Sequence, residues 1–366
     1  MRSDSPTSRR EFLRGRDVGA QSEQLAPAPA AEMSSATDQS TAPSAGDTIR
    51  LATRAMACEF SVIMNPGPGA QVMAASGALD AVQTLENQIS VYREHSELSQ
   101  LNARAAWEPV EIEQQLFEFL LETRRLCLET EGGFDPTSGP LISLWRLCRQ
   151  QGRIPTQQEI ASCRERTGME RCLFDEINRT VRYDRDGVEL NLGGIGKGYA
   201  LDRAGEFLVE QGLEAWLFHG GQSSMLARGV HHGTGGWPVG ICNPLFPQQR
   251  LATVLLQDGA LSSSGSGVQH FWHQGKRYGH ILDPRTGWPV EHMLSVTVLA
   301  PTAAEADALS TAFYVIGVEN AQRYCDNHKE VSAMLIPPPR RGRTLEPINC
   351  GIPDEVLYCV SKPASE

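Results

Sequence analysis

The sequence lacks long apolar runs and clustered positive charge, and each absence argues against a class of protein. Its 366 residues include 33 Lys and Arg against 44 Asp and Glu, a net charge of −11. A nucleic-acid binder neutralises phosphates with clustered Lys and Arg, so this balance argues against that class. No stretch reaches the roughly 18 apolar residues that a membrane-spanning helix requires. A composition with 40% hydrophobic and 21% charged residues is instead typical of globular proteins.

The cysteines lack the spacing of a metal site or a disulfide framework. Nine of them are spread along the chain, with no Cys-x-x-Cys pair and no Cys/His cluster at metal-ligand spacing. An odd number of scattered thiols in a large chain argues against a disulfide framework and favours a reducing compartment.

The N-terminal segment differs in composition from the rest of the chain. Residues 1–48 are rich in Ser, Ala, Pro, Gln and Thr and show no apolar period, which predicts a disordered tail before a folded domain at 49–361. Segment 8–13, SRREFL, is similar to the twin-arginine export motif. The apolar stretch that should follow is missing from residues 14–23. We therefore expect a cytoplasmic protein, with twin-arginine export to the periplasm as the alternative.

Apolar periodicity predicts alternating helices and strands from about Arg50 onward. Three- and four-residue steps predict helices at 75–89, 116–127 and 303–316. Predicted strands occupy 251–256, 260–263 and 294–300, and residues 181–192 are predicted as a hairpin turned at 184–187. Hairpins mixed with isolated helices predict an α+β fold with mixed or antiparallel sheets and packed helices.

A glycine-rich segment, residues 189–202, leads from a predicted strand into a predicted helix. Backbone N–H groups at such a helix start can hold an anion. The Walker pattern fails, because Asn191 and Gly198 stand where it needs Gly and Ser or Thr. The dinucleotide fingerprint also fails, because its third Gly or Ala is missing. The residues alone leave a phosphate-contacting loop and a tight structural turn equally open.

Two further groups of residues are candidates for chemistry. Asp307 and Thr311 lie four residues apart, so they project from one face of the predicted helix. Their oxygens suit Mg²⁺, although the helix dipole and a Thr-to-carbonyl bond explain the pair without a metal. His280 precedes a Pro/Gly turn at 283–287 and is either a general base or a histidine that holds the turn.

These segments, in this order, resemble the ApbE-type FAD:protein FMN transferases over about residues 55–317. The matching motifs are AMACEF at 55–60, SVYR at 90–93 with SEL at 96–98, GFDPT at 133–137 with PL at 140–141 and LW at 144–145, the loop at 193–202, GG at 220–221, SG at 264–265, HILDPRTG at 280–287 and DALST at 307–311. The resemblance implies an ApbE-like flavin transferase fold for residues 49–361. It also implies an enzyme that takes FAD as substrate, joins FMN to a Thr or Ser hydroxyl of a client protein and releases AMP.

The resemblance further implies the residues of the site. Its FAD contacts would be Met56, Tyr92, Gly133, Phe134, Asp135, Asn191, Lys197 and Leu282. Mg²⁺ would be held by Asp307, Thr311 and a backbone carbonyl at Gly194. Asp307 would serve catalysis through that metal, and we expect His280 to take the proton of the client hydroxyl. The client would be a flavoprotein of a redox or electron-transport system.

Several positions depart from the family pattern. Asn191 stands where Asp is usual, and Ala57-Cys58 replaces a common Gly-Thr. Gln222 stands where an acidic residue is frequent, and Ser310 stands where some members carry an extra acidic metal ligand. These departures leave open a flavin-binding or storage protein that performs no transfer. A pyrophosphatase that cleaves FAD to FMN and AMP is the other alternative.

Overall fold

The computed structural model describes residues 46–265 and 270–359. Its helices are α1 (Ala70–Ile89), α2 (Glu97–Arg104), α3 (Gln114–Glu129), α4 (Gly139–Gln150), α5 (Gln157–Arg164), α6 (Gly196–Glu210) and α7 (Ala303–Asn327). Its strands are β1 (Ile49–Ala55), β2 (Cys58–Met64), β3 (Val110–Glu111), β4 (Cys172–Asp175), β5 (Thr180–Tyr183), β6 (Trp216–Gly220), β7 (Ser224–Arg228), β8 (Trp237–Cys242), β9 (Arg250–Leu256), β10 (Gly259–Gly265), β11 (His270–His273), β12 (Lys276–Gly279), β13 (Leu282–Asp283), β14 (Trp288–Pro289), β15 (Ser295–Ala300), β16 (Ser332–Ile336), β17 (Ile348–Cys350) and β18 (Leu357–Cys359).

An eight-stranded sheet forms the framework, in the order β1-β2-β6-β7-β10-β15-β16-β17. Every neighbouring pair in it is antiparallel. Successive side chains of a strand point to opposite faces. Phe60, Val62 and Phe218 therefore belong to the core cluster on one face, whereas Ile63 and Leu217 belong to the cluster on the other. The fold is α+β with antiparallel sheets and packed helices, as predicted.

Helices α1, α6 and α7 cover the first face of the sheet and enclose the larger core cluster. The first turn of α6 crosses the first turn of α7 at Gly198. A Cβ atom at this position would lie only 2.0 Å from the carbonyl oxygen of Ala303. Glycine is therefore required where the two backbones meet. This crossing brings the glycine-rich loop against the start of the last helix.

The second face of the sheet packs against a three-stranded antiparallel sheet, β18-β9-β8. Trp237 and Val254 of that sheet share a buried cluster with Leu217 and Met334 of the large sheet. Both faces of the central strands are therefore buried.

A smaller core cluster joins helices α4 and α5 to the turn that carries His280. It contains Leu141, Trp145, Ile160, Cys163, Tyr278 and Leu282. The indole N–H of Trp145 donates to the backbone oxygen of Gly287 at 2.8 Å. This bond fixes the turn to α4.

The three predicted helices are confirmed. Segments 75–89 and 116–127 lie within α1 and α3. Segment 303–316 is the first part of α7, which continues to Asn327 across a kink at Gly317. Gly317 has φ 79° and ψ −179°, a conformation that other residues rarely adopt.

The strands predicted at 251–256, 260–263 and 294–300 are confirmed as β9, β10 and β15. The hairpin predicted at 181–192 is wrong. Strand β5 pairs with β4 and β3 instead. The Asn102 side chain donates to the Leu190 carbonyl at 2.9 Å and accepts from the Leu190 N–H at 2.9 Å. It thus satisfies backbone groups that a partner strand would have used.

Within the described part of the chain, no helix is both long enough and apolar enough to cross a bilayer. The nine cysteines are free thiols. The twin-arginine motif and residues 1–45 of the predicted tail lie outside the described residues, so both remain predictions.

Candidate active site

The start of α7 is held by side chains from two places. Thr302 accepts the backbone N–H of Glu305 at 3.2 Å, which caps the helix. Asp202 of α6 accepts the N–H groups of Ala303 at 2.7 Å and Ala304 at 2.8 Å. Together these bonds satisfy orphan donors of the helix end and fix its first turns, where the predicted site residues lie.

Burial raises the pKa of Asp202 to about 7, against the opposing effect of its two backbone hydrogen bonds. The negative charge of Asp307 raises this pKa further. The Asp202 carboxyl therefore changes its protonation state close to neutral pH. It lies where α6 holds the start of α7.

Asp307 is the buried carboxylate of the site, only 3% exposed. The hydroxyls of Ser224 and Ser262 both donate to its Oδ1. The backbone N–H of Gly198 donates to Oδ2 at 2.8 Å, and Nζ of Lys197 lies 3.5 Å from the same oxygen. Groups from β7, β10 and α6 therefore orient this carboxylate.

Thr311 lies one turn after Asp307 and is joined to it through hydroxyl groups. Its Oγ1 lies 3.3 Å from the hydroxyl of Ser264, which lies 2.9 Å from that of Ser310. A Cβ atom placed on Gly194 would lie 3.6 Å from Thr311 Oγ1. The structure therefore brings the glycine loop beside Thr311, as the predicted metal set requires.

The segment at Gly133–Asp135 lies against the same loop. A Cβ atom on Gly194 would contact the ring of Phe134 at 3.4 Å, and one on Gly133 would lie 2.4 Å from the Ile316 side chain of α7. Asp135 Oδ1 accepts the N–H of Thr137 at 2.8 Å and its hydroxyl at 2.6 Å. Burial raises the pKa of Asp135.

Asn191 stabilises the glycine loop from its start. Its backbone N–H donates to the carbonyl of Pro136 at 2.7 Å, and its Oδ1 accepts the N–H of Gly193 at 2.9 Å. The loop is thus tied to the segment that carries Phe134.

Met56 lies in the two-residue turn between β1 and β2. Met56 and Ala57 both have positive φ, 48° and 60°, as in the type I′ turns that suit hairpins. The next residue, Cys58, is near the charges of Lys197 and Asp307: burial raises its thiol pKa, Lys197 lowers it and Asp307 raises it. This hairpin end therefore approaches the buried carboxylate.

Tyr92 lines an open surface cavity of about 950 Å³, and Lys197, Asp307 and Thr311 are not among its lining residues. Tyr92 is 71% exposed, and the Arg146 guanidinium lies 5.4 Å from the centroid of its ring. Glu189, at the start of the glycine-rich segment, also lines this cavity. Its volume is within the range of pockets for small molecules and cofactors.

His280 and Leu282 lie on the turn held by Trp145. His280 is exposed at the end of β12. The Leu282 side chain is buried in the smaller cluster with Trp145, so an FAD contact from this residue would have to use its backbone. The roles assigned to both residues remain predictions.

The donor chemistry of the site fits Mg²⁺. Asp307 offers a carboxylate, Thr311 a hydroxyl and Gly194 a carbonyl, and hard oxygen donors are the ligands that Mg²⁺ prefers. Among the described residues, no group of three or more His, Cys, Asp and Glu side chains could hold a metal ion. Mg²⁺ usually keeps several waters and bridges to substrate phosphates, so a protein ligand set with only one carboxylate is sufficient for it.

The sequence did not predict that the hydroxyls of Ser224 and Ser262 donate to Asp307. A signal existed in β10, where Ser262 and Ser264 alternate on the face that elsewhere carries Ala260. Polar residues on the core-facing side of a strand need a partner. Asp202 was also missed as the residue that holds α7.

Comparison with known proteins gives one consistent family. The model of the ApbE family matches residues 55–335. The chain is 30% identical to the FAD:protein FMN transferase of Escherichia coli (strain K12) over 267 residues, which cover 70% of this chain and 75% of that protein. It is 30% identical to the enzyme of the same name from Treponema pallidum (strain Nichols) over 313 residues, 79% of this chain and 83% of that one.

Solved structures agree. The ApbE protein from Thermotoga maritima superimposes with a TM-score of 0.74 at 27% identity, covering 82% of this chain and 96% of that one. The flavin transferase ApbE from Vibrio cholerae superimposes with a TM-score of 0.70 at 26% identity, covering 83% and 97%.

Proposed function

This chain belongs to the ApbE family, and on that premise we propose that it is an FAD:protein FMN transferase, which moves FMN from FAD to a client protein. The observation that carries this proposal is the convergence of Gly194, Lys197, Asp307 and Thr311 at the crossing of α6 and α7. A buried carboxylate, a cation and a glycine loop at one point suit the handling of a pyrophosphate. The relatives from Escherichia coli and Treponema pallidum are named FAD:protein FMN transferase.

In the proposed reaction, the oxygen of a client Thr or Ser attacks the phosphorus of the FMN half of FAD. A new P–O bond to the client forms, the P–O bond to the bridging pyrophosphate oxygen breaks, and AMP leaves with the bond's electron pair. The proton of the attacking hydroxyl passes to His280 as general base. Bound Mg²⁺, held by Asp307, Thr311 and Gly194, would supply positive charge to the pyrophosphate oxygens.

The residues of the chain bind and orient the substrate in this proposal. Lys197 places a positive charge beside Asp307, and the glycine loop offers N–H groups at the start of α6. The exposed side chain of Tyr92 offers a stacking surface for the flavin or adenine ring of FAD. Asn191 keeps the loop in place through its hydrogen bonds to Pro136 and Gly193.

The experiment combines the purified full chain with FAD, Mg²⁺ and a candidate client that contains an acceptor Thr or Ser. Transfer gives AMP and a client heavier by one FMN unit, which chromatography and mass spectrometry measure. AMP with free FMN and an unmodified client would indicate a pyrophosphatase instead. Stoichiometric FAD binding without AMP release, in the presence of Mg²⁺ and a competent client, would indicate a flavin-binding or storage protein. Each of these two results would refute the transferase proposal.

We propose a redox or electron-transport flavoprotein as the client, because flavin attached to a protein serves electron transfer. We also propose a cytoplasmic location, because no apolar stretch follows the twin-arginine motif at 8–13. Fractionation of cells that carry a tagged copy tests the location, and recovery of the mature protein in the periplasm would contradict it.

A further inference from the structure

A chain of hydroxyl groups connects the Asp307 carboxylate to Thr311. Ser262 donates to Asp307 Oδ1, and its hydroxyl lies 3.4 Å from that of Ser310. Ser310 lies 2.9 Å from Ser264, whose hydroxyl lies 3.3 Å from Thr311 Oγ1. We propose that Ser262, together with the second donor Ser224, positions Asp307 for the divalent cation. This inference rests on the proposed function.

The register of the large sheet explains why these two serines act together. Ser224 of β7 and Ser262 of β10 are directly opposite partners in the antiparallel ladder. Opposite residues of such a pair project from the same face of the sheet. This face packs against α7, so both hydroxyls meet the same carboxylate oxygen.

Because Asp307 and both serines are buried, loss of either hydroxyl is expected to be costly for the carboxylate. Asp307 is 3% exposed, Ser262 is 2% exposed and Ser224 is fully buried. Water cannot readily replace a donor lost here, and a buried carboxylate oxygen without donors is costly. With Oδ2 facing the Gly198 N–H at 2.8 Å, rotation of the carboxylate would break bonds on both oxygens. The serines therefore restrict Asp307 to one orientation.

The local sequence supports a specific role rather than general polarity of this face. Ala260 of β10 and Leu226 of β7 are apolar and pack in or against the larger core cluster. Hydroxyls occupy the pair of positions that meets Asp307. Residues that orient a ligating carboxylate commonly change metal affinity about 10- to 100-fold when they are removed.

The test titrates Mg²⁺ into the metal-free full chain by calorimetry. Ser224→Ala and Ser262→Ala are each expected to raise the dissociation constant for Mg²⁺ about 10- to 100-fold. Ser262→Thr keeps a hydroxyl and is expected to restore most of the affinity. The matched control is Ser263→Ala, because the neighbouring Ser263 bonds Thr297 at 2.8 Å on the other face of the sheet. Its Mg²⁺ affinity is expected to equal that of the wild type.

A steady-state measurement separates positioning from loss of the fold. In Ser262→Ala, the Mg²⁺ concentration for half-maximal transfer should rise, while excess Mg²⁺ should recover most of kcat. Urea unfolding of Ser262→Ala and Ser263→Ala measures the structural cost of losing a buried hydroxyl at Ser262 and a partly buried one at Ser263.

Unchanged Mg²⁺ affinity in both Ser224→Ala and Ser262→Ala would overturn the inference, as would an equal loss in Ser263→Ala. Failure of the proposed function gives a different result. In that case the wild type forms no flavinylated client, whatever the serine variants do to Mg²⁺ binding.

Discussion

Asp307→Asn is the sharpest test of the site, because it removes the negative charge and keeps the shape of the side chain. We expect transfer to fall by at least about 100-fold, the usual loss when a preorganised electrostatic group leaves an active site. The variant also loses its attraction to Lys197, whose Nζ lies 3.5 Å from Oδ2 in the wild type.

The hydrogen bonds around Asp307 indicate that the variant folds. The amide oxygen of Asn can accept the Gly198 N–H, which donates at 2.8 Å in the wild type. Its NH₂ group then faces Ser224 and Ser262, whose hydroxyls can rotate and accept instead of donate. We therefore expect a loss of unfolding free energy of only about 1 kcal/mol. Asp307→Ala, in contrast, leaves the Gly198 N–H without an acceptor and costs about 1–3 kcal/mol more.

The assay measures AMP by chromatography and the flavinylated client by mass spectrometry, at saturating FAD and Mg²⁺. Urea unfolding of the same preparations tests whether the variant is folded. Asp326→Asn is the matched control, because Asp326 lies on the same helix with its side chain 79% exposed. Its rate should equal that of the wild type. A folded Asp307→Asn variant that transfers FMN within twofold of the wild-type rate would refute the assignment of Asp307.

Three further changes test the fold, the electrostatics and the substrate contact. Gly198→Ala places a Cβ atom 2.0 Å from the Ala303 carbonyl oxygen, so urea unfolding should show a loss of about 3 kcal/mol or more. Asp202 has a pKa of about 7 in the folded protein against about 4 when unfolded, so its contribution to stability falls as pH rises through that interval. The unfolding free energy of the wild type minus that of Asp202→Asn should therefore be smaller at pH 7.5 than at pH 5. Tyr92→Ala should raise the KM for FAD about 10-fold with a smaller change in kcat, because the exposed ring offers stacking to FAD.

Each of these changes has a control or a contradicting result. Gly69→Ala is the control for the crossing, because no atom lies within 4 Å of a Cβ placed there. Equal stability differences at both pH values would show that Asp202 has the same pKa in both states. Trp107→Ala, at another exposed aromatic residue, should leave the KM for FAD unchanged, and an equal rise there would contradict the role of Tyr92.

Much of the candidate site could be predicted, because its signals are local in the chain. The spacing of Asp307 and Thr311 places both on one helix face, which α7 confirms. The glycine-rich segment predicts a close backbone approach, and Gly198 makes one with Ala303. Recognition of the family depended on the order of several weak motifs, and the family match over residues 55–335 confirms it.

The sequence by itself determined helices α1, α3 and α7, strands β9, β10 and β15, the α+β class and the residue types available to the site. Periodicity reports which face of a segment is apolar, and that information lies within the segment. The four-residue spacing in the sequence also identified Asp307 as a carboxylate on the same helix face as the hydroxyl of Thr311.

Only the tertiary structure decided the partners of these residues. Ser224 and Ser262 meet Asp307 because strands β7 and β10 pair in one particular register and α7 packs across them. The predicted hairpin failed because the side chain of Asn102, 88 residues before Leu190 in the chain, took the backbone groups of that segment. Strand register and packing depend on contacts between distant segments, and the conformational preferences of a short segment do not specify those contacts.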